Sequence, residues 1–337
     1  MKIMKQIHRR ELVIRHLSDF LPHLTFRRIV NLALNVVEKR YGISACRSLP
    51  PYIKVEPTPL CQLRCPGCGQ SQTEYRKKFR ASAHLTPDQF KRIVDPLSST
   101  LLGISLSMRG EPMLNRSIVS FIEYAHDKNI AVSFPTNLSI RLSEQEVEGL
   151  VRSGLDSISV SLDGASEETY AKYRAGGNFS LILDNVRSLS DAKQKYGLRR
   201  PKIIWKFVIF DHNRHEVQEV RDTYRSLGFD GYELVADDSS RSVRTGKVAA
   251  RGRAVQKRQG CYWLWHTMLV GWDGKVFPCC KLPDFDLGNA IQENARDIWR
   301  GDRYQAIREG FSRKDYGRRM HPYCQRCMGY KPGDSAS

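Results

Sequence analysis

Three cysteines stand close together in the segment PTPLCQLRCPGCGQ: Cys61, Cys65 and Cys68. Cysteine thiolates are the ligands that iron–sulfur clusters require, and three of them on one loop can face a single centre. Three ligands leave one iron of a four-iron cluster open to a small molecule. A structural zinc site is the alternative, but zinc usually takes two well-separated cysteine pairs. The spacing therefore favours an iron–sulfur cluster over zinc.

A second group of cysteines follows residue 260. It comprises Cys261, Cys279, Cys280, Cys324 and Cys327. Paired thiolates of this kind suit either zinc or an iron–sulfur cluster. Adjacent cysteines rarely bind one metal, so we expect Cys279 and Cys280 to have different roles. The remaining cysteine, Cys46, stands well apart from both groups.

The first cysteine group follows the first of six predicted strands. Strand-like and helix-like patterns alternate from 53 to 238, and the strands are predicted at 53–58, 103–110, 131–137, 157–164, 202–210 and 231–238. Thr86 and Ser143 are predicted to cap two of the intervening helices. This alternation implies a parallel sheet covered by helices. No glycine pattern of a dinucleotide-binding fold follows the first strand, and no P-loop pattern occurs.

Polar residues follow three more of the predicted strands at the point where each ends. They are Gly110, Glu111 and Pro112 after the second strand, Thr136 and Asn137 after the third, and Ser161 and Asp163 after the fourth, with Arg174 a little beyond. Parallel α/β folds place their sites at the carboxyl ends of the strands. We therefore expect these side chains to line one site together with the first cysteine group.

The Cys-x-x-x-Cys-x-x-Cys loop and the Gly-Glu-Pro after the second strand resemble the radical S-adenosylmethionine (SAM) superfamily, and the match continues over 53–238. The resemblance implies an α/β fold, a partial (β/α)6 TIM-like barrel. It further implies a 4Fe–4S cluster on Cys61, Cys65 and Cys68, with SAM bound at the open iron.

Within this resemblance each strand-end group has an implied role. Gly110, Glu111 and Pro112 contact the amino group of the methionine moiety, Ser161 and Arg174 hold the ribose and the carboxylate, and Thr136, Asn137 and Asp163 lie at the same rim. A guanidinium can hold a carboxylate through two parallel hydrogen bonds. The family often has an aromatic residue before the third cysteine, where this chain has Gly67, so the adenine contact must come from elsewhere.

The second cysteine group resembles the auxiliary-cluster domain called SPASM, or its shorter twitch form, in its Gly274-x-x-x-x-Cys279 spacing. The resemblance implies one auxiliary 4Fe–4S cluster, because the further cysteines of the full form are missing. Its implied ligands are Cys261, Cys279, Cys324 and Cys327, and zinc is the rival metal for these four thiolates. Cys280 is then either a hydrogen-atom donor to a substrate radical or a small buried hydrophobic side chain.

The parts outside the barrel differ from it in charge and pattern. We divide the chain into a basic helical segment (1–50), the barrel (51–240), a basic linker (241–260), the small cysteine-rich auxiliary-cluster domain (261–330) and a disordered tail (331–337). In the first segment, Phe26, Ile29, Leu32, Val36 and Val37 form an apolar helical face that ends before Gly42. We expect this face to pack on the protein's own body, with a membrane-surface helix as the alternative.

The chain is strongly basic, with 54 Lys and Arg against 36 Asp and Glu and a net charge of +18. Such a charge favours an anionic partner, such as an acidic peptide or a phosphorylated substrate. No stretch approaches the ~18 apolar residues of a transmembrane helix. Nine cysteines without a secretory signal pattern point to metal binding in a reducing compartment, so we expect a cytoplasmic protein.

The resemblance implies an oxidoreductase in which the reduced cluster cleaves SAM to a 5′-deoxyadenosyl radical that abstracts hydrogen from the substrate. A flavodoxin- or ferredoxin-type protein would supply electrons, and the auxiliary cluster would transfer them. We expect a peptide or protein side chain as substrate, as in maturases. The alternative is oxidation or epimerisation of a small polar metabolite, such as an aminocyclitol, a sugar or a nucleotide-linked compound. The strand-end motifs oppose a third alternative, a non-catalytic iron–sulfur or zinc protein that binds nucleic acid.

Overall fold

The computed structural model describes residues 18–71, 73–79, 81–236, 261–280, 285–311 and 320–328. The predicted basic linker (241–260) and the predicted tail (331–337) lie outside the described residues. So do the first 17 residues of the predicted N-terminal segment.

The described residues contain eight β-strands. They are β1 (Tyr52–Val55), β2 (Gly103–Leu106), β3 (Ala131–Thr136), β4 (Ser157–Ser161), β5 (Lys202–Ile209), β6 (Gly231–Ala236), β7 (Thr267–Val270) and β8 (Val276–Phe277). Neighbouring strands follow the order β6-β5-β4-β3 in one part of the chain and β2-β1-β7-β8 in the other. The six predicted strands are therefore confirmed as an α/β arrangement. The first five end earlier than predicted, because the polar residues after them belong to loops instead of the sheet.

The described helices alternate with these strands. They are α1 (Phe26–Tyr41), α2 (Thr73–Lys77), α3 (Pro87–Val94), α4 (Ile118–Asp127), α5 (Glu144–Arg152), α6 (Glu167–Ala171), α7 (Phe179–Lys195), α8 (Val217–Thr223), α9 (Trp263–His266), α10 (Ala295–Arg300), α11 (Asp302–Glu309) and α12 (Pro322–Met328). Thr86 and Ser143 form capping boxes with Gln89 and Glu146, as predicted. Each cap satisfies backbone N–H groups that have no partner within the helix.

The chain divides into two compact units whose segments alternate along the sequence. The first comprises Met1–His23, Pro57–His84 and Arg109–Arg251, and the second comprises Leu24–Glu56, Leu85–Met108 and Gly252–Ser337. The five-part division made from the sequence stays a prediction.

In the first unit β3, β4, β5 and β6 pair in parallel. Ile158, Val160, Trp205 and Phe207 are all 0% exposed, and each such side chain contributes about 1.5–3 kcal/mol to folding by leaving water. The Trp205 indole donates a hydrogen bond of 2.7 Å to the Leu162 carbonyl, just beyond β4. This packing holds the carboxyl ends of the strands, where the predicted site residues lie.

In the second unit β1 pairs in parallel with β2 and with β7, and β8 is antiparallel to β7. A hydrophobic cluster comprises Cys46, Leu264, Trp265, Ile307, Phe311, Met320 and Met328. Beside it Arg308 is buried, donates to the Leu264 and Trp299 carbonyls at 2.8 and 2.9 Å, and lies over the Trp299 ring. Its carbonyl partners and the ring face make a buried cation tolerable.

Helix α1 buries a different face from the one predicted. Its buried side chains are Arg28, Asn31, Asn35 and Glu38, whereas Phe26, Ile29, Val36 and Val37 are exposed. The expectation that the apolar face packs on the protein's own body is therefore wrong. The polar face is buried because backbone groups of neighbouring segments need its hydrogen bonds. Among the described helices, none is both long and apolar enough to cross a membrane.

Candidate functional site

The loop after β1 brings the first three cysteines to one place. Cys61, Cys65 and Cys68 belong to a single hydrophobic cluster with Leu63. The Cys68 amide donates to the Cys65 carbonyl at 3.0 Å, which folds the loop back on itself. The three thiols predicted as ligands therefore lie in one hydrophobic cluster of the first unit, in which Cys65 is buried and Cys61 and Cys68 are partly buried.

Burial also sets the protonation of Cys61 and Cys65. It raises the pKa of Cys61 to about 12, with smaller contributions from Glu111, Cys65 and Cys68. Burial likewise raises the pKa of Cys65. Thiols of this kind stay protonated until a metal displaces their protons.

No three His, Cys, Asp or Glu side chains of the described residues converge tightly enough to hold a single metal ion. A four-iron cluster does not require such convergence, because each thiolate binds a different iron. A loop whose three separate thiols lie in one hydrophobic cluster therefore suits an iron–sulfur cluster.

Gln70 provides an independent test of whether the loop fits a metal-bound thiolate. The Cys68 thiol donates to Gln70 Oε1 at 2.6 Å, and Gln70 Nε2 is buried without a hydrogen-bond partner among the described residues. A half-turn of the amide would let this nitrogen donate to a Cys68 thiolate, which satisfies both groups. The environment therefore fits a deprotonated, metal-bound Cys68. Sequence reasoning missed Gln70, although it lies only two residues beyond the third cysteine.

Asn137 connects Cys61 to the end of β3. Its Nδ2 lies 3.7 Å from the Cys61 sulfur, and its Oδ1 accepts a hydrogen bond of 2.8 Å from Gln62. An amide N–H beside a ligating sulfur is the usual outer contact of an iron–sulfur site. Asn137, predicted as a SAM contact, is thus placed directly beside the cysteine loop.

The Glu111 carboxylate joins the loop after β2 to the end of β3. It accepts hydrogen bonds from Thr136 Oγ1 at 2.5 Å, from the Asn137 amide at 2.7 Å and from the Met113 amide at 3.2 Å. Burial raises the pKa of Glu111 to about 6, and these hydrogen bonds and Arg174 oppose that rise. The predicted residues Glu111, Thr136 and Asn137 are therefore brought together by direct contacts.

Gly110 lies against the backbone of the cysteine loop. A Cβ atom at this position would stand 2.0 Å from the Thr58 carbonyl oxygen and 2.6 Å from that of Leu60. Only glycine permits this approach, and the next amide, of Glu111, donates to the Leu60 carbonyl at 2.7 Å. Carbonyl and carboxylate oxygens are the acceptors that an ammonium group requires. The Gly110–Pro112 loop therefore fits the amino end of SAM.

Arg174 is held by Asp163 at the end of β4. Its Nε and Nη2 both lie 2.6 Å from Asp163 Oδ2, and Asp163 Oδ1 accepts from the Val208 amide at 2.8 Å. Burial opposes the charge of Arg174, but Asp163 and Cys65 outweigh it and raise its pKa. Arg174 in turn lowers the pKa of Cys65 against the larger effect of burial. A permanent cation therefore stands beside the second cysteine.

The three predicted residues of the β4 end differ in access. Asp163 is 0% exposed and already binds Arg174, so it orients the guanidinium without reaching a ligand. Asp163 takes the Nε and Nη2 atoms of Arg174, and the guanidinium also lowers the pKa of the neighbouring Cys65. Ser161 ends β4 opposite Lys206 and is partly exposed.

An aromatic pair adjoins the cysteine loop from other parts of the first unit. The rings of Tyr173 and Phe210 lie 4.3 Å apart, and both side chains belong to the cluster that contains the three cysteines. They supply a flat apolar surface beside the loop, where Gly67 replaces the aromatic residue that the family often has before the third cysteine. Sequence reasoning missed both residues, because nothing in the local pattern places them beside the loop.

The second cysteine group lies in the second unit. Burial raises the pKa of Cys324 to about 12, with smaller contributions from Cys261, Cys279 and Cys327. Cys280 is exposed and is not among the groups that act on Cys324. The assignment of Cys261, Cys279, Cys324 and Cys327 as ligands of one cluster stays a prediction. The interpretation of Cys280 as a small buried hydrophobic side chain is wrong, because its side chain faces solvent.

Two family models match the chain in the regions of the two cysteine groups. The radical SAM superfamily model matches residues 55–223, and the SPASM model, described as an iron–sulfur cluster-binding domain, matches residues 261–328. Together they imply SAM and a 4Fe–4S cluster for the first region and auxiliary iron–sulfur binding for the second.

Individual relatives are more distant. An AdoMet-dependent heme synthase from Methanosarcina barkeri is 26% identical over 191 residues, which cover 56% of this chain and 51% of the relative. A PqqA peptide cyclase from Rhodopseudomonas palustris is 27% identical over 200 residues, which cover 59% of this chain and 50% of the cyclase. The chain thus spans about half the length of these relatives.

Among solved structures, Streptococcus suis SuiB bound to S-adenosylmethionine has a similar fold. The TM-score is 0.62 at 16% identity, and the match covers 81% of this chain and 70% of SuiB. The first family model spans half of the chain and contains Cys61, Cys65, Cys68, Glu111 and Arg174. The chain therefore belongs to the radical SAM superfamily and carries a C-terminal SPASM domain.

Proposed function

We propose that this chain is a radical SAM enzyme that cleaves SAM at the Cys61–Cys65–Cys68 loop. One observation carries the proposal: the three thiols share one hydrophobic cluster, with Arg174 beside Cys65 and Glu111 acting on Cys61. When bound there, a reduced 4Fe–4S cluster supplies the electron that splits SAM into methionine and a 5′-deoxyadenosyl radical, which takes hydrogen from the substrate.

The chain's own residues have the task of holding and orienting. Glu111 and the carbonyls around Gly110 accept hydrogen bonds from the methionine ammonium, and Arg174 receives the carboxylate. Asp163 keeps the guanidinium in place. Ser161 is proposed for the ribose, and the Tyr173–Phe210 pair is proposed for the adenine ring. Burial of the loop excludes water and oxygen from the reactive centre.

The second cysteine group is proposed to hold one auxiliary 4Fe–4S cluster on Cys261, Cys279, Cys324 and Cys327. Four protein thiolates leave that cluster without an open iron, so its role is electron transfer. An oxidoreductase of this kind needs an electron donor of the flavodoxin or ferredoxin type. A reducing cytoplasm is the compartment in which nine free cysteines and two clusters persist.

For the substrate we propose a peptide or protein side chain. The support is the resemblance to a PqqA peptide cyclase and a net charge of +18 that suits an acidic peptide. A small polar metabolite is the second candidate, and the resemblance to an AdoMet-dependent heme synthase favours it.

The test is anaerobic reconstitution with iron and sulfide, followed by dithionite and SAM, with 5′-deoxyadenosine measured by mass spectrometry. Wild type and Cys280→Ala should form 5′-deoxyadenosine with about eight irons per chain, and Cys65→Ala should form none while keeping the auxiliary irons. About four irons in an active wild type would assign the second group to zinc. Equal product from Cys65→Ala would contradict the proposed function.

A further inference from the structure

Helix α1 presents an apolar face to solvent. Phe26 is 83% exposed, and Ile29 and Val30 are each 50% exposed. Among the described residues, nine of the twelve exposed large hydrophobic side chains lie between Leu24 and Ile43. A concentration of this kind marks an interaction surface, whereas scattered exposed hydrophobic residues do not.

The exposed apolar residues follow helical periodicity. Phe26, Val30, Leu34, Val37 and Tyr41 recur at intervals of three or four residues over α1, and with Ile29 they form the α1 apolar face. A helix of 16 residues is about 24 Å long. The face is therefore a continuous stripe that runs the length of the helix.

The opposite, polar face of α1 is locked onto the second unit. Asn31 donates to the Leu49 carbonyl at 2.9 Å and accepts from the Leu49 amide at 2.8 Å. Arg28 donates to the Ser98 carbonyl at 3.1 Å, and Glu38 accepts from the Arg47 amide at 2.6 Å. Rotating the helix to bury its apolar face would break these buried hydrogen bonds, so the exposure is built into the fold.

The surroundings of the α1 apolar face are positively charged. Arg27, Arg40 and Arg47 are exposed, and Lys39 is partly exposed. Glu38 is the one acidic residue between Leu24 and Leu49, and it is 2% exposed. An apolar stripe with a basic rim is complementary to acyl chains beneath anionic headgroups.

We propose that α1 binds the surface of an anionic lipid bilayer, with its axis in the membrane plane and its apolar face among the upper acyl chains. The basic rim then meets lipid phosphates, and the buried polar face keeps the helix attached to the second unit. A second copy of the chain is the poorer occupant, because it would bring an identical basic rim against this one. The chain is thereby a peripheral membrane protein that works at a lipid surface.

Vesicle co-sedimentation of the full, reconstituted chain under anaerobic conditions tests the proposal. Vesicles of phosphatidylcholine mixed with phosphatidylglycerol should sediment the wild type, and phosphatidylcholine alone should sediment it at least about tenfold less. High salt should release the bound fraction, because it screens the attraction to the headgroups. The triple variant Phe26→Ser/Val30→Ser/Val37→Ser should bind the mixed vesicles at least about tenfold less than the wild type does. The double variant Arg27→Glu/Arg40→Glu should bind the mixed vesicles only as weakly as the wild type binds phosphatidylcholine alone.

Matched controls use exposed residues of the first unit. Leu198 is 40% exposed. The variants Leu198→Ser and Lys195→Glu/Arg199→Glu should bind the mixed vesicles like the wild type. All variants should keep the wild-type melting temperature and iron content. Failure of the wild type to bind the mixed vesicles would overturn the proposal. Undiminished vesicle binding by the triple variant would also overturn it. So would a wild-type protein that binds no lipid but forms a dimer in light scattering, if the triple variant is a monomer.

Discussion

Arg174 donates to Asp163 from two nitrogens, and both Nε and Nη2 lie 2.6 Å from the same carboxylate oxygen. The pair stands beside Cys65, whose pKa Arg174 lowers against the effect of burial. A buried carboxylate therefore fixes the position of the cation that we assign to the SAM carboxylate. Asp163 acts through Arg174 and is a positioning residue.

Replacing Asp163 with Asn should weaken SAM binding without preventing cluster assembly. The amide removes the negative charge that orients Arg174, and loss of such an outer contact costs about 10–100-fold in affinity. The measurement is SAM titration of the reconstituted protein, followed by the change in its absorption spectrum. Asp230→Asn, which disrupts the Lys193 ion pair of the same unit, is the control for general destabilisation. An unchanged Kd in Asp163→Asn would refute the positioning role.

Replacing Gln70 with Leu should lower the reduction potential of the SAM-cleaving cluster. In the holoprotein the Gln70 amide is expected to donate to the Cys68 sulfur, and hydrogen bonds to sulfur raise the potential of an iron–sulfur cluster. The expected shift is on the order of tens of millivolts. An anaerobic redox titration followed by electron paramagnetic resonance measures it, with the exposed Gln218→Leu as control. A potential equal to that of the wild type would show that Gln70 does not contact the sulfur.

The affinity for SAM should fall as the pH is lowered through about 6. Burial raises the pKa of Glu111 to about 6, and only the ionised carboxylate attracts the methionine ammonium. Glu111→Gln should bind SAM more weakly at neutral pH and should lose this pH dependence. The Kd measured across this range checks the prediction, and a slope that persists in Glu111→Gln would contradict it.

The contribution of Glu111 to folding stability should change with pH in the direction opposite to the affinity for SAM. Its folded pKa lies above the ordinary value of 4.5, so the stability it contributes is fully present below pH 4.5 and is lost as the pH rises through about 6. Urea unfolding of wild type and Glu111→Gln should therefore give a difference in stability that changes across this interval. A constant difference would show that the burial of Glu111 does not govern its titration.

His23 should stabilise the first unit more at acidic than at alkaline pH. Its Nε2 lies 3.2 Å from Asp156 Oδ1. Burial lowers the pKa of His23, but Asp156 and Asn129 outweigh burial and raise it above the usual 6.5. The charged pair therefore contributes fully below pH 6.5, and its contribution is lost as the pH rises through the folded pKa. His23→Gln should lower the urea midpoint most at acidic pH, and a loss that grows with pH would contradict the assignment.

Local pattern was sufficient to predict the strands, the caps and the strand-end groups. The capping boxes of Thr86 and Ser143 depend on residues three positions apart, and alternation of strands and helices identified the sheet. The contacts of Gln70, Tyr173 and Phe210 with the cysteine loop depend on tertiary packing, for which the sequence carries no local signal. Helix α1 shows the limit most clearly. Its amphipathic pattern is correct, but hydrogen bonds to Leu49 and Ser98 bury the polar face.

The central claim is that SAM binds and is cleaved at the cluster of Cys61, Cys65 and Cys68. The most direct measurement is the electron paramagnetic resonance spectrum of the reduced protein with Cys324→Ala and Cys327→Ala, which isolates this cluster, before and after SAM is added. We predict a shift in the spectrum on addition of SAM, followed by its decay with formation of 5′-deoxyadenosine. A fully assembled, reduced cluster whose spectrum does not respond to SAM, and which yields no 5′-deoxyadenosine, would contradict the account.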